Sequence, residues 1–202
     1  MGSEDGTDQV TSSILGARPR SSSLGDEEAL GGGLPANWTL EEFQKRVRGI
    51  LDSYLLSGEV EEAVRSFQDF AVREASGFLD EVAVCALRTA LEQTDQQRSR
   101  IAELLRRLHE ENILDQASLA RGFAKLVCTW EDLVVDCGSK SSVYLVDMLL
   151  SCMRGNCVVR AFLMRLPEGL VMAVLREGSE DEDKTELQEV ARKLQQFKRG
   201  IQ

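Results

Sequence analysis

The spacing of the apolar residues is the feature that most constrains how this chain can fold. From residue 43 onward, apolar side chains recur every three or four positions, beginning with Phe43, Val47, Ile50, Leu51 and Tyr54. This spacing aligns one face of an α-helix and does not match the two-residue alternation of a half-buried strand. The sequence therefore predicts amphipathic helices rather than a β-sandwich.

The first helix has recognisable start and stop signals. Thr39 and Glu42 have the three-residue spacing of a capping box, and Trp38 before the cap can pack on Phe43 as a hydrophobic staple. Together these contacts contribute on the order of 1 kcal/mol. Gly58 is suited to the left-handed backbone that ends a helix. We therefore predict a helix between Thr39 and Gly58.

The same apolar spacing, together with start and stop signals of this kind, predicts eight further helices. They lie at about residues 60–70, 79–91, 94–111, 115–127, 143–153, 158–166, 169–176 and 184–198. In the fourth helix of the chain, Arg98 and Arg107 are expected on the face opposite the leucines. Short connectors imply antiparallel helix pairs, in a bundle or an α-solenoid. No strict period is present, so among repeat folds the degenerate HEAT type fits best.

One segment between two predicted helices does not follow this pattern. Residues 130–138 read WEDLVVDCG, in which two valines lie between acids and a glycine closes the run. β-Branched residues disfavour a helix slightly, and the segment lacks clear start and stop signals. We therefore predict an irregular loop that holds its carboxylates, Asp132 and Asp136, where an arginine or lysine of a partner can bind them.

Composition predicts three regions. Residues 1–36 are rich in Gly, Ser, Asp and Glu and are predicted to form a disordered tail. Residues 37–176 hold the helical domain. Residues 177–202 combine an acidic linker with a terminal amphipathic helix, which can either dock on the domain or bind another protein, and docking is favoured.

The predicted tail contains a motif that would suit a basophilic kinase. Residues 18–23 read RPRSSS, which places two arginines before Ser21, Ser22 and Ser23. Phosphorylation of these serines is one interpretation. An unmodified, solvated stretch is the simpler alternative.

Charge and cysteine content exclude several classes. The formal net charge of −10 argues against nucleic acid as the main ligand, so any RNA contact would be indirect. No apolar stretch is long enough to cross a membrane. The five cysteines have no C-x-x-C spacing and no secretory segment precedes them, so we expect reduced thiols, no metal site, and a cytoplasmic or nuclear protein.

The sequence offers little for catalysis. His109 is the only histidine and lies in a Leu-Arg-Arg helix beside two glutamates, where a packing role is expected. The chain has no glycine-rich phosphate loop. We therefore predict no enzyme activity and no cofactor.

Several motifs together resemble one family. Residues 50–63 read ILDSYLLSGEVEEA, residues 104–108 read LLRRL, Gly122 precedes Phe123, and residues 132–136 read DLVVD. This combination is similar to the MI domain, also called the MA-three domain, over about residues 43–170. The family includes the scaffold subunit of the cap-binding initiation complex and the programmed-cell-death translational repressor. The resemblance implies an all-α, HEAT-like α-solenoid of antiparallel helix pairs.

The resemblance also implies a partner. In translational members of the family, the acidic loop and nearby helix ends bind the DEAD-box RNA helicase of initiation, of the factor 4A type. The matching positions here are Asp132, Leu133, Asp136 and Gly138, which become the expected partner-binding residues for that helicase and for other initiation-complex proteins. Gly138 occupies the usual position of a proline, so the resemblance implies a less preorganised loop. The expected function is regulation of translation initiation. The alternative is a helical adaptor in splicing or ribosome assembly.

Overall fold

The computed structural model describes residues 39–74, 77–177 and 185–199, and all regular elements in these ranges are helices. The elements are α1 Leu40–Ser57, α2 Val60–Glu74, α3 Leu79–Leu91, α4 Asp95–Glu110, α5 Gln116–Cys128, α6 Trp130–Cys137, α7 Ser141–Arg154, a 3-10 helix Arg160–Arg165, α8 Glu168–Glu177 and α9 Thr185–Arg199. The predicted all-α fold is confirmed.

Local cap signals set several helix ends as predicted. The Thr39 hydroxyl accepts from the Glu42 backbone N–H at 3.3 Å, while the Glu42 carboxylate accepts from the Thr39 N–H at 3.0 Å. Gly58 has φ +76° and donates its N–H to the Tyr54 carbonyl. Asp115 likewise caps α5 through the Ser118 N–H, 2.6 Å away. These ends are fixed because each orphan backbone group finds a neighbouring partner.

The helices form two layers, as the HEAT-like prediction requires. α1 contacts α3 and α3 contacts α5 in one layer, while α2 contacts α4 and α4 contacts α7 in the other. The two-residue connector after α1 turns α2 back against it, so the two are antiparallel. Each layer buries the apolar stripe of the other, which is why the helices need one another to be stable.

The core lies between the layers and is mainly aliphatic. Its largest fully buried side chains are Phe43, Phe67, Phe123, Leu51, Leu87, Ile101, Leu104, Leu105, Leu108, Leu114, Leu119 and Leu126. Within it Phe43 stacks on Phe70 with 4.8 Å between ring centroids, and Phe123 meets Phe162 edge-on at 6.4 Å.

Arg98 corrects one prediction. The helical pattern placed it on the solvent face of α4, but its residue surface is only 8% exposed. Its guanidinium lies 3.5 Å from the ring centroid of Tyr144 on α7 and donates to Gln93 O and Asp95. The methylenes of an arginine side chain can be buried while its guanidinium contacts an aromatic ring and oxygen acceptors. A prediction from residue type alone therefore placed Arg98 on the wrong face.

The C-terminal helix docks on the domain. Leu187, Ala191 and Leu194 are buried, and α9 contacts α8 and α7. The favoured prediction is therefore confirmed, since the apolar stripe of α9 is already used within the chain. The tail at 1–36 with Ser21, Ser22 and Ser23, the staple residue Trp38, and most of the acidic linker lie outside the described residues.

Candidate protein-interaction site

The segment predicted to be an irregular loop is a helix. α6 spans Trp130–Cys137, so the prediction of irregular backbone was wrong. The cost of two valines in a helix is a few tenths of a kcal/mol each. Burial of Leu133, which is 2% exposed, offsets that cost, and the acids Glu131 and Asp132 lie in the first turn, where the helix dipole favours negative charge.

One face of α6 anchors the helix to the domain. Leu133 is buried in the core, and the half-buried Trp130 lies against α8. A Cβ atom on Gly169 would stand 3.1 Å from Cζ2 of that indole, so α8 approaches the ring closely because residue 169 is glycine. The helix is therefore held in a fixed orientation by packing on one side.

The predicted contact residue Leu133 belongs to this anchoring face. At 2% exposure its side chain is not accessible to a partner in this conformation. Its role here is to hold α6 in place. It thereby determines the direction in which the exposed side chains of α6 point.

The exposed side of α6 carries the two predicted aspartates. Asp132 and Asp136 are exposed and four residues apart, which places them one turn apart on the same side of the helix. Within the described ranges neither carboxylate forms a hydrogen bond or an ion pair. Both therefore present free acceptor oxygens, as recognition by a cationic side chain requires.

Val135 was not among the contact residues predicted from the sequence. Its side chain is 84% exposed, and it lies three residues after Asp132, which makes the two side chains neighbours on the helix surface. An exposed valine beside Asp132 adds an apolar contact to the acidic side of α6. A helical interpretation of residues 130–137 would have revealed it, whereas the irregular loop gave no basis for assigning faces.

Gly138 ends α6 in a conformation that proline cannot adopt. Its φ is +95°, and its N–H donates to the Val134 carbonyl at 3.0 Å. Proline would fix φ near −65° and remove this donor. The glycine therefore fits the backbone of this chain. The resemblance implied a less preorganised loop at Gly138, whereas the structure has a hydrogen-bonded helix end there.

The remaining candidate groups have structural surroundings. Nδ1 of the half-buried His109 lies 3.0 Å from the Leu114 carbonyl oxygen. Burial raises the pKa of the Cys152 and Cys157 thiols, which keeps them protonated at neutral pH. Among the described residues there is no group of three or more metal-ligating side chains. No helix in the described ranges combines the length and apolar character needed to cross a bilayer.

The layered helices and the exposed acidic helix packed on them define a HEAT-like helical repeat domain. Comparison with known families agrees, because residues 43–159 match the MA3 domain. This chain belongs to the MA3 domain family, which is the MI family that its motifs resemble.

Two relatives from Arabidopsis thaliana show the extent of the similarity. The chain is 34% identical over 98 residues to MA3 domain-containing translation regulatory factor 3, covering 48% of this chain and 13% of that protein. It is 30% identical over 100 residues to translation regulatory factor 2 of the same series, covering 50% of this chain and 14% of that protein. The chain thus matches a small part of each relative.

Proposed function

We propose that this chain is a non-enzymatic protein-binding domain that binds an initiation-type DEAD-box RNA helicase and regulates translation initiation in the cytoplasm. The observation that carries the proposal is the pairing of Asp132 and Asp136 on the exposed face of a helix whose other face is buried. Family membership and relatives that are named translation regulatory factors support the biological setting.

The chemistry of such a helicase suits this face. An enzyme that binds RNA and ATP presents arginines and lysines that bind phosphate groups. Two fixed carboxylates can form hydrogen bonds with some of these side chains in place of phosphates. A charge-assisted hydrogen bond contributes about 1.5–3 kcal/mol net, so two of them supply several of the roughly 8 kcal/mol of a micromolar complex. RNA and this domain would then compete for the helicase, and the domain would contact RNA only through its partner.

The test measures affinity for the purified initiation helicase by calorimetry, with and without RNA. Replacement of both Asp132 and Asp136 by alanine is expected to weaken binding at least a hundredfold, because two charged contacts are lost. The unfolding free energy should change by less than about 1 kcal/mol, since only the first-turn aspartate interacts favourably with the helix dipole.

A matched control removes two exposed acids from another helix. Glu62→Ala with Asp69→Ala on α2 changes the net charge equally and should leave the affinity nearly unchanged. A wild-type chain that does not bind the helicase, and that is recovered instead with splicing or ribosome-assembly complexes, would contradict the proposal. Equal weakening by both double variants would show that only net charge matters.

A further inference from the structure

The helical structure continues beyond the part of the chain that matches the family. The match ends at residue 159, whereas the 3-10 helix, α8 and α9 follow it, and the last of these ends at Arg199. α8 packs on α7, and α9 contacts both of them. These later helices therefore lie directly against the part of the chain that carries the candidate site.

α6 depends on packing for its orientation. It has eight residues, about two turns, and a helix this short is unstable in water without tertiary contacts. Leu133 is buried at its centre, and Trp130 and Cys137 pack partly against the core near its two ends. Trp130 is therefore the side chain that holds the first turn, which carries Asp132.

The indole of Trp130 lies against the backbone of α8. A Cβ atom on Gly169 would stand 3.1 Å from Cζ2 of the ring and 3.9 Å from both Cε2 and Cη2. The glycine thus allows α8 to contact the ring directly, with no side chain between them. The position of α8 consequently limits where the indole can lie.

The indole is not enclosed on all sides. A cavity of about 440 Å³ is lined by Trp130 and by the α8 residues Gly169, Met172, Ala173, Leu175 and Arg176. A ring beside open space can change its side-chain torsions at a lower steric cost than a ring surrounded by packed atoms. If α8 moved away, the ring and the first turn of α6 could therefore move as well.

α9 holds α8 in place. The side chains of α9 that are buried in the domain are Leu187, Ala191 and Leu194. Beside them, Nε2 of Gln195 lies 2.6 Å from Sδ of Met172, a residue that also lines the cavity. A chain of contacts therefore runs from α9 through α8 and Gly169 to the indole of α6.

We infer that Trp130 is a positioning residue of the candidate site, and that α8 and α9 support it through Gly169. A helix that keeps its orientation in the free protein loses less conformational freedom on binding, so the same carboxylates bind more tightly. The inference rests on the proposed function, because the benefit is in the affinity of Asp132 and Asp136 for the partner. It assigns the helices after residue 159 a role in that affinity without contact to the partner.

The first test uses a pair of substitutions that compensate in size. Gly169→Ala adds a methyl group where the ring lies, and Trp130→Phe replaces the indole with a smaller ring that leaves room for it. Each single variant should bind the purified initiation helicase about fivefold more weakly in calorimetric titrations, because α6 is less preorganised. The double variant should recover most of the lost affinity, since its two changes fit each other. Losses that simply add in the double variant would overturn the inference.

Two controls separate orientation from stability. Gly49→Ala on α1 adds the same methyl group where nothing lies within 4 Å, so it should leave the affinity unchanged. Val64→Ala removes buried methyl groups from α2, which should lower the melting temperature and also leave the affinity unchanged. A loss of affinity in Val64→Ala equal to that in Gly169→Ala would show that reduced stability alone explains the effect.

The second test asks whether α9 supports α6, with no partner present. Ala191→Glu places a charge in the buried stripe of α9, and Gln196→Glu makes the same change of charge on its exposed side. In the 202-residue chain, backbone amides of α6 should exchange hydrogen about tenfold faster in Ala191→Glu than in Gln196→Glu. Gly169→Ala should accelerate exchange in α6 as well, while the amides of α1 remain as protected as in wild type.

Because hydrogen exchange needs no helicase, the inference and the proposed function can fail separately. Wild-type exchange in α6 of both Ala191→Glu and Gly169→Ala would overturn the inference and leave the proposed function intact. A wild-type chain that does not bind the helicase would overturn the proposed function. Faster exchange in α6 of these variants would still support its positioning by α8 and α9.

Discussion

A Cβ atom placed on Gly122 of α5 would stand 2.5 Å from Cβ of Ala83 on α3. The same position is 3.0 Å from the Asp80 carbonyl oxygen, so backbone as well as side chain blocks it. The two helices lie this close only because residue 122 is glycine. This contact joins α3 to α5, which leads directly into α6, and so helps to position the candidate site.

Substitution of this glycine should separate the two helices. Gly122→Ala is expected to lower the unfolding free energy by about 1–3 kcal/mol, because overpacking forces the backbones apart. Chemical denaturation followed by circular dichroism measures the change. The control is Gly49→Ala in α1, where a Cβ meets nothing within 4 Å. That variant should gain up to about 1 kcal/mol from helix propensity, and a loss there would show that alanine itself is not tolerated.

Ser142 is expected to be a site of stabilisation. Its hydroxyl is buried and has no hydrogen-bond partner among the described residues, and an unsatisfied buried polar group costs about 1–3 kcal/mol. Ser142→Ala should therefore raise the melting temperature by a few degrees. The adjacent Ser141 provides the comparison, because its hydroxyl donates to the Gly138 carbonyl at 2.6 Å. Ser141→Ala should lower the melting temperature, and opposite signs for the two variants are the decisive result.

The cap of α5 should make part of the stability depend on pH. Hydrogen bonds from the Ser118 side chain and backbone N–H hold the pKa of Asp115 below its ordinary value. A carboxylate with a lowered folded pKa contributes its full stability above its unfolded pKa and loses it as pH falls through the folded pKa. The wild type should exceed Asp115→Ala by about 1 kcal/mol at pH 7. That difference should shrink below about pH 4.

An amide provides the control for this titration. Asp115→Asn keeps an oxygen that can accept the Ser118 N–H but has no proton to gain, so its advantage over Asp115→Ala should be constant between pH 7 and pH 3. Urea denaturation at each pH gives these differences. A wild-type advantage that did not change with pH would contradict the role of the charged cap.

Introduction of the family's proline at residue 138 should destabilise this chain. Gly138→Pro removes the N–H bonded to Val134 O and cannot adopt φ +95°. Gly138→Ala keeps the N–H and has only the strain of a backbone at φ +95° and ψ 167°, a region essentially confined to glycine, which costs about 1–3 kcal/mol. We therefore expect Gly138→Pro to be the less stable of the two by thermal denaturation. A proline variant as stable as wild type would show that the end of α6 readily takes another conformation.

The helical elements illustrate what could be predicted locally. Thr39, Gly58 and Asp115 mark helix ends through contacts with residues at most four positions away. Such contacts involve only residues close in the chain, so the local sequence was sufficient to predict where these helices begin or end. The apolar spacing identified the core positions of α1, because one helix face follows from the local sequence. Arg98 was predicted on the wrong face because the ring that it contacts, Tyr144, is far away in the sequence, on α7.

The candidate site was predicted as a pair of residues but not as a surface. Motif resemblance identified Asp132 and Asp136. Their position on one side of α6, their neighbours and their anchoring to the domain all depend on α6 being a helix. Val135 could not be assigned to the exposed side from sequence. Its exposure depends on which face of α6 packs against the rest of the domain.

The sequence by itself determined the helices with strong caps and the all-α class, because these follow from interactions between residues close in the chain. Only the tertiary structure decided that residues 130–137 form a helix with its acids outward. Local preference there differs between helix and loop by tenths of a kcal/mol, whereas burying one leucine such as Leu133 contributes about 1.5–3 kcal/mol. Leu133 is buried only when α6 packs against the rest of the fold, and short-range sequence patterns do not contain that contact.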